Sequence, residues 1–160
     1  VDVMQVALPH FEESSASFCH TMSSSMSRSE REWVAQGASE ADVLSRLYDV
    51  WTYKEALTKN MGLGLGYDFA RIDLRFGRDV RLAMDGRAVD TYRFRELALP
   101  CGASSRAPGS RVAIALGPRD AWEAPMSKQA VPAQQAMDEG WLRMWTYDAW
   151  LDYARAMSGV

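Results

Sequence analysis

A carboxylate and two lysines lie close together near the middle of this 160-residue sequence. Lys54, Glu55 and Lys59 fall in a stretch whose apolar residues recur at helical spacing, and Glu55 and Lys59 are one helical turn apart. Lys54 falls inside the apolar arc of that helix, which is an unusual position for an ammonium group. The pattern therefore predicts a carboxylate and two amines at the margin of a buried helix face.

A second carboxylate, Asp2, stands in the apolar run of residues 1–6, which predicts a short buried strand. Acidic residues avoid buried strands unless they are paired or bind a metal. Mg²⁺ takes one or two carboxylates together with phosphate oxygens. Lysines and a metal also stabilise the charge that develops on a diphosphate leaving group. Asp2 and Glu55 are therefore candidate metal ligands, and the two lysines are candidate phosphate contacts.

Ordinary structural roles fit the same residues. A Glu–Lys pair one turn apart is most often a surface bridge worth about 0.3–0.5 kcal/mol. Lys54 can extend its ammonium to solvent along its stem, and Asp2 can be a solvated terminal residue. The glycine run of residues 62–66 follows a helix instead of preceding one, so it predicts a helix cap and a turn, not a phosphate loop. Spacing alone leaves both interpretations open.

The elements that must position these side chains begin with a long helix. Ser39 and Asp42 give a start signal, the helical pattern runs to Met61, and Gly62 is a natural left-handed cap. A capping box at residues 29–32 predicts a shorter helix before it, carrying Trp33.

Strands follow the long helix, because the apolar period changes there from 3.6 to 2. Residues 72–76 and 80–84 alternate, the Asp85-Gly86 pair predicts a tight hairpin, and residues 87–97 are predicted to return as its partner strand. Residues 112–116 form one more strand. The predicted fold class is α+β, with one long helix packed on an antiparallel sheet. Residues 1–118 make one unit, residues 119–137 a linker, and residues 138–160 an amphipathic helix packed on the same domain.

Composition excludes several classes of function. The net charge of −3 and the pI near 5.4 give no basic face for nucleic acid. No apolar run approaches the length of a membrane span. Cys19 and Cys101 are too few for a disulfide framework and lack zinc spacing, so we expect a reducing, cytoplasmic compartment. The chain opens in the middle of a predicted strand, so we expect it to be a piece of a longer protein.

Two motifs together resemble a known family. The run Trp51-x-x-Lys54-Glu55-Ala56-x-x-Lys59-x-x-Gly62-x-Gly64-Leu65 resembles the W-x-x-K-E-[AS]-x-x-K-x-x-G-x-G-L signature of the 4′-phosphopantetheinyl transferase superfamily. Val1-Asp2-Val3 resembles the end of the upstream G-[IV]-D-[IV] motif of that family. The interval between the motifs resembles that of the long, surfactin-synthetase-activating type. A Met at the second position after the aspartate, as Met4 is here, resembles the eukaryotic aminoadipate-semialdehyde-dehydrogenase-activating group. The resemblance covers residues 1–118 and implies the C-terminal lobe of that fold.

The resemblance implies a reaction and a set of roles. The family transfers 4′-phosphopantetheine, with Mg²⁺ as cofactor, from coenzyme A to a serine of an apo carrier protein, which is the reaction of a holo-[acyl-carrier-protein] synthase. The carrier is an acyl, peptidyl or aminoadipate-reductase carrier domain. Asp2 and Glu55 are then metal ligands, and Glu55 helps to deprotonate the serine. Lys59 and Lys54 contact coenzyme A as catalytic and binding residues, and Trp51 is structural.

Two departures from the family pattern limit what is expected. Met4 stands where many bacterial members have a third acidic ligand, so water or Gln5 would have to complete the metal shell. The N-terminal lobe, which supplies basic residues for the adenosine phosphates, is not represented in the chain. We therefore expect the isolated chain to bind coenzyme A poorly. It is then either a catalytically incomplete lobe that binds a carrier or a partner, or a lobe that rebuilds a composite site by self-association.

Overall fold

The computed structural model describes residues 1–63, 66–99, 109–118 and 131–139. Short 3₁₀ turns at Ser23–Ser25 and Phe69–Arg71 connect some of the regular elements. None of the described helices is long and apolar enough to cross a bilayer. In chain order the elements are β1 (Asp2–Gln5), α1 (Ser15–Met22), α2 (Arg28–Ala35), α3 (Glu40–Asn60), β2 (Ile72–Arg75), β3 (Arg81–Met84), β4 (Arg87–Val89), β5 (Arg93–Leu99), β6 (Ser110–Leu116), β7 (Val131–Pro132) and α4 (Ala133–Asp138).

The strands form two sheets, and α3 lies against the larger one. The larger sheet has the order β1-β6-β5-β7 and the smaller has the order β2-β3-β4. Helix α3 packs on β6 and β1, and its residues Tyr53, Ala56 and Leu57 enter a core shared with both sheets. The predicted α+β fold, a long helix on an antiparallel sheet, is confirmed. Strand β7 departs from it, because it pairs with β5 in parallel.

Both predicted ends of α3 are confirmed. The Ser39 side chain accepts a hydrogen bond from the backbone N–H of Asp42 at 3.2 Å. At the other end Gly62 has φ 73°, and its N–H donates to the carbonyl of Lys59. The N–H of Leu63 donates to the carbonyl of Thr58 at 2.9 Å, which completes a Schellman motif. The helix that carries Glu55 therefore has fixed ends.

The start of α2 was predicted two residues too late. The cap is Ser27, whose side chain accepts from the N–H of Glu30, while the Glu30 carboxylate accepts from the N–H of Ser27 at 2.7 Å. Ser29 instead donates its hydroxyl hydrogen to Asp73 on β2. Two serines two residues apart both precede an acidic residue, so the sequence pattern did not distinguish the cap from a tertiary contact.

The predicted strand of residues 87–97 was wrong, because it is two strands in different sheets. The Asp85-Gly86 hairpin is confirmed, since both residues have positive φ, and β4 returns along β3. That pairing ends at Val89, and Arg93 starts β5, which pairs with β6. The Arg93 guanidinium donates to the carbonyls of Asp90 and Tyr92 at the crossing between the sheets.

The linker predicted over residues 119–137 is only partly described, and its described end holds β7 and most of α4. Strand β7 pairs with β5 through the register Leu97 to Val131, and helix α4 follows at once. Helix α4 ends at Asp138, where the predicted C-terminal helix was expected to begin. The residues of that predicted helix from 140 onwards lie outside the described ranges.

Candidate functional site

Strand β1 holds Asp2 under helix α3. It pairs antiparallel with β6, with Asp2 opposite Ala113. Because side chains alternate along a strand, Asp2 and Met4 share the face that α3 covers, whereas Val3 and Gln5 lie on the opposite, exposed face. Asp2 is only 7% exposed. A buried carboxylate therefore stands at the base of the helix.

Helix α3 brings Glu55 and Lys59 to the same place. The Lys59 ammonium donates a hydrogen bond to Asp2 Oδ1 at 2.6 Å and lies 3.9 Å from Glu55 Oε2. The two carboxylates are therefore no farther apart than those two distances together. Glu55 is buried, whereas the Lys59 side chain is half exposed. Asp2, Glu55 and Lys59 converge from a strand and a helix, as the sequence predicted.

The electrostatics of this cluster favour a second cation. Burial raises the pKa of the Glu55 carboxyl, the Lys59 ammonium partly offsets that rise, and the charge of Asp2 adds to it. The hydrogen bond to Asp2 raises the pKa of Lys59. Asp2 Oδ2 is buried and has no hydrogen-bond partner within the described part of the chain. Two carboxylates therefore share one half-exposed ammonium, and one of their oxygens is unsatisfied.

The donor set fits Mg²⁺ as a bound cofactor. Carboxylate oxygens are its preferred protein ligands, and it commonly keeps several waters beside one or two of them. Asp2 and Glu55 would hold the ion. Across the described ranges no group of three or more His, Cys, Asp or Glu side chains could hold a metal. Met4 packs into an apolar cluster and Gln5 lies on the far face of β1, so water would have to complete the shell of an ion held there.

Lys54 lies outside this cluster, in a separate buried contact, and its contact with coenzyme A stays a prediction. It is 1% exposed, and its ammonium donates to Glu30 at 2.6 Å and to the carbonyls of Ser25 and Phe69. An ammonium has three donors, so all of them are used. The pair is buried: desolvation lowers the pKa of Lys54, and the charge of Glu30 partly restores it. Lys54 ties α3 to α2 and to the turn before β2.

A second buried polar cluster beneath α3 was missed at the level of sequence. Arg111 on β6 lies 3.2 Å from Glu96 on β5 and 3.6 Å from Asp49 on α3, and the Tyr53 hydroxyl donates to Glu96 at 3.0 Å. Both acidic residues are buried. Glu96 has the same signal as Asp2, an acidic residue at an inward strand position, since it lies two residues after Phe94 on the same face of β5. The cluster joins α3 to the sheet that carries Asp2.

Two comparisons with known proteins bear on this site. The model of the 4′-phosphopantetheinyl transferase superfamily matches residues 1–114. The 4′-phosphopantetheinyl transferase pptA of Paxillus involutus is 37% identical over 99 residues, which is 60% of this chain and 37% of that protein. The chain therefore matches well under two thirds of the relative's length. The matched region includes β1 and α3, the two elements that bring Asp2 and Glu55 together.

Proposed function

This chain belongs to the 4′-phosphopantetheinyl transferase superfamily, and we therefore propose that it carries the metal-binding lobe of an enzyme that transfers 4′-phosphopantetheine from coenzyme A to a carrier-protein serine. The observation that supports the proposal is the convergence of Asp2 and Glu55 on the ammonium of Lys59. These residues fall on both motifs that resemble the family. Because the relative is much longer than the matched segment, the activity is proposed for the whole enzyme.

The reaction forms one phosphorus–oxygen bond and breaks another. The serine hydroxyl oxygen attacks the β-phosphorus of coenzyme A, and the bond to adenosine 3′,5′-bisphosphate breaks. Asp2 and Glu55 would hold Mg²⁺, whose positive charge would offset that of the diphosphate. Glu55 accepts the serine proton, directly or through water. Lys59 is half exposed, so its ammonium can reach the leaving phosphate.

The partners follow from this reaction. We propose an apo acyl, peptidyl or aminoadipate-reductase carrier domain as the acceptor. A first lobe, or a second copy of the chain, supplies the remaining contacts to coenzyme A, because Lys59 is the single lysine that the structure places beside Asp2 and Glu55 within the described ranges. We propose a cytoplasmic location, where coenzyme A is available, with no nucleic-acid or membrane partner.

The alternative is that this lobe is catalytically incomplete and only binds a carrier or a partner lobe. One observation favours it for the chain by itself. The match to the Paxillus protein leaves most of that protein's length without a counterpart. Under this alternative Asp2 and Glu55 still bind a divalent ion, but no phosphopantetheine is transferred.

Intact-mass spectrometry of the carrier tests the proposal. The 160-residue chain is incubated with Mg²⁺, coenzyme A and an apo-carrier, with a sizing column run in parallel. One added phosphopantetheine, lost on chelation of Mg²⁺ or in Glu55→Gln, supports the transferase. Addition by an oligomeric form supports a site rebuilt from two copies. An unmodified carrier that is retained by the chain supports the binding lobe. The matched control for Glu55→Gln is Glu32→Gln, on the exposed face of α2.

A further inference from the structure

We infer that Lys59 is the resident counter-cation of the Asp2–Glu55 site and that it leaves Asp2 when a divalent ion binds. The inference rests on the proposed function, since it assumes that the two carboxylates hold a metal. It adds an exchange: one lysine side chain stabilises the empty carboxylates and is then released toward solvent.

The ammonium of Lys59 lies where an ion shared by the two carboxylates would bind. Lys59 Nζ is 2.6 Å from Asp2 Oδ1 and 3.9 Å from Glu55 Oε2, so it stands between the carboxylates and within bonding distance of one. A magnesium ion binds carboxylate oxygens at about 2.0–2.1 Å. An ion shared by Asp2 and Glu55 would therefore fall in the space that the ammonium holds. Two cations cannot share that space, because like charges repel strongly at such distances.

The burial of Asp2, Glu55 and Lys59 determines which of the three side chains can move. Asp2 and Glu55 are each 7% exposed, so neither carboxylate can be left without a counter-charge at low cost. Lys59 is the mobile member, because its side chain is 50% exposed and a lysine stem has several rotatable bonds. Lys54, on the same helix, contrasts with it: that ammonium is enclosed and fully bonded. Only Lys59 of this pair can move out while the helix stays in place.

Divalent-ion affinity gives the first test, with Mn²⁺ as the probe and electron paramagnetic resonance as the readout. Lys59→Met removes the competing charge but keeps a flexible stem, so we expect Mn²⁺ to bind about fivefold more tightly than in the wild-type chain. Lys59→Arg keeps the charge and is expected to bind like the wild type. Equal or weaker binding by Lys59→Met would overturn the inference.

Amine acylation gives an independent test on the wild-type chain. The sequence contains three lysines, Lys54, Lys59 and Lys128, so peptide mass spectrometry can follow each one separately. Mg²⁺ is expected to accelerate acylation of Lys59 and to leave the buried Lys54 unreactive. An unchanged or slower reaction at Lys59 would mean that the ammonium stays on Asp2, which contradicts the exchange.

The two tests separate this inference from the proposed function. If Mn²⁺ binds neither the wild type nor Lys59→Met, the metal site itself is wrong, and both proposals are overturned. If Mn²⁺ binds both forms equally and acylation of Lys59 does not respond to Mg²⁺, only the exchange is overturned. Tighter binding by the variant together with faster acylation of the wild type supports both.

Discussion

At the scale of single residues, the environment of Glu55 suits metal binding but disfavours the ionised carboxylate in the metal-free chain. Its carboxyl is buried beside the negative charge of Asp2, and these two effects raise its pKa despite the nearby Lys59. A carboxyl whose pKa is raised by folding stabilises the chain below its unfolded pKa, and that contribution is lost as pH rises through the folded pKa. The ionised form of Glu55 therefore opposes folding until a cation binds.

Glu55→Gln is predicted to stabilise the metal-free chain at neutral and alkaline pH. A neutral amide replaces an ionised, buried carboxylate, and the gain should vanish toward pH 4, where the wild-type carboxyl is protonated. Urea unfolding of both forms between about pH 4 and about pH 8 measures it. Glu32→Gln is the matched control, because Glu32 is exposed and its change should have little effect. A wild type more stable than Glu55→Gln at pH 8 would contradict the burial argument.

Lys54→Met is predicted to destabilise the chain by about 3–5 kcal/mol, because it leaves the buried carboxylate of Glu30 without a counter-charge. The double variant Lys54→Met with Glu30→Gln should recover much of that loss, since it removes both charges. Denaturant unfolding measures the two free energies.

The double variant also tests the place given to Lys54. Its Mn²⁺ affinity should equal that of the wild type, because Lys54 contacts Glu30 and two backbone carbonyls and not the Asp2–Glu55 site. A large loss of Mn²⁺ affinity in this folded variant would mean that Lys54 contributes to the metal site.

At the scale of elements, the two ends of α3 determine where Glu55 and Lys59 project. Lys59 lies in the last turn of the helix, next to the Schellman motif that Gly62 makes possible with its φ of 73°. Fraying of that turn would move Lys59 away from Asp2 before it moved Glu55. The cap therefore contributes to the geometry of the site as well as to the stability of the helix.

Gly62→Ala is predicted to cost roughly 1–2 kcal/mol, the strain of a left-handed conformation in a residue with a Cβ. A Cβ at this position would meet no other atom, so the effect is one of backbone conformation alone. Gly66→Ala is the matched control, since Gly66 also has open space but no positive φ, and its effect should be small. Thermal unfolding of the two variants distinguishes them, and equal losses would contradict the cap assignment.

Elements with local signals were predictable from the sequence. The Ser39 cap, the Gly62 cap and the Asp85-Gly86 hairpin each depend on residues close in the chain, and all three are confirmed. The break between β4 and β5 was missed, although the alternation lapses there: the apolar pair Ala88-Val89 is followed by the polar pair Asp90-Thr91, where the chain passes from one sheet to the other. Alternation reports which face is buried and not which sheet the strand joins.

The same distinction explains the candidate site. An acidic residue in an apolar strand indicated that Asp2 needs a partner, and the structure supplies Lys59, which Glu55 also approaches. The position of Lys54 indicated burial correctly, but its partner Glu30 comes from a separate helix, 24 residues earlier in the chain. Periodicity identifies a buried charge, whereas the folded structure is needed to show which opposite charge compensates it.

At the scale of the whole molecule, β1 is an edge strand of the larger sheet as far as that sheet is described. Val3, on the face of β1 away from α3, is 55% exposed, and Val1, just before the strand, is 65% exposed. Asp2 therefore lies on a strand whose inner face is packed and whose outer face is open. Part of the catalytic environment is expected to come from another lobe or another copy.

The chain alone is predicted to bind coenzyme A poorly, because Lys59 is the only lysine found beside Asp2 and Glu55 in the described ranges. Isothermal titration in the presence of Mg²⁺ should show no saturation up to about 1 mM coenzyme A. A sizing column is the control for self-association. Tight one-to-one binding to a monomer would contradict the need for further contacts.

Titration of the chain with Mn²⁺ tests the central claim most directly, namely that Asp2 and Glu55 form one cation site. The structure predicts one bound ion per chain, and it predicts that either Asp2→Asn or Glu55→Gln abolishes binding while the circular dichroism spectrum stays unchanged. Binding that persists undiminished in both folded variants would contradict the assignment of this site.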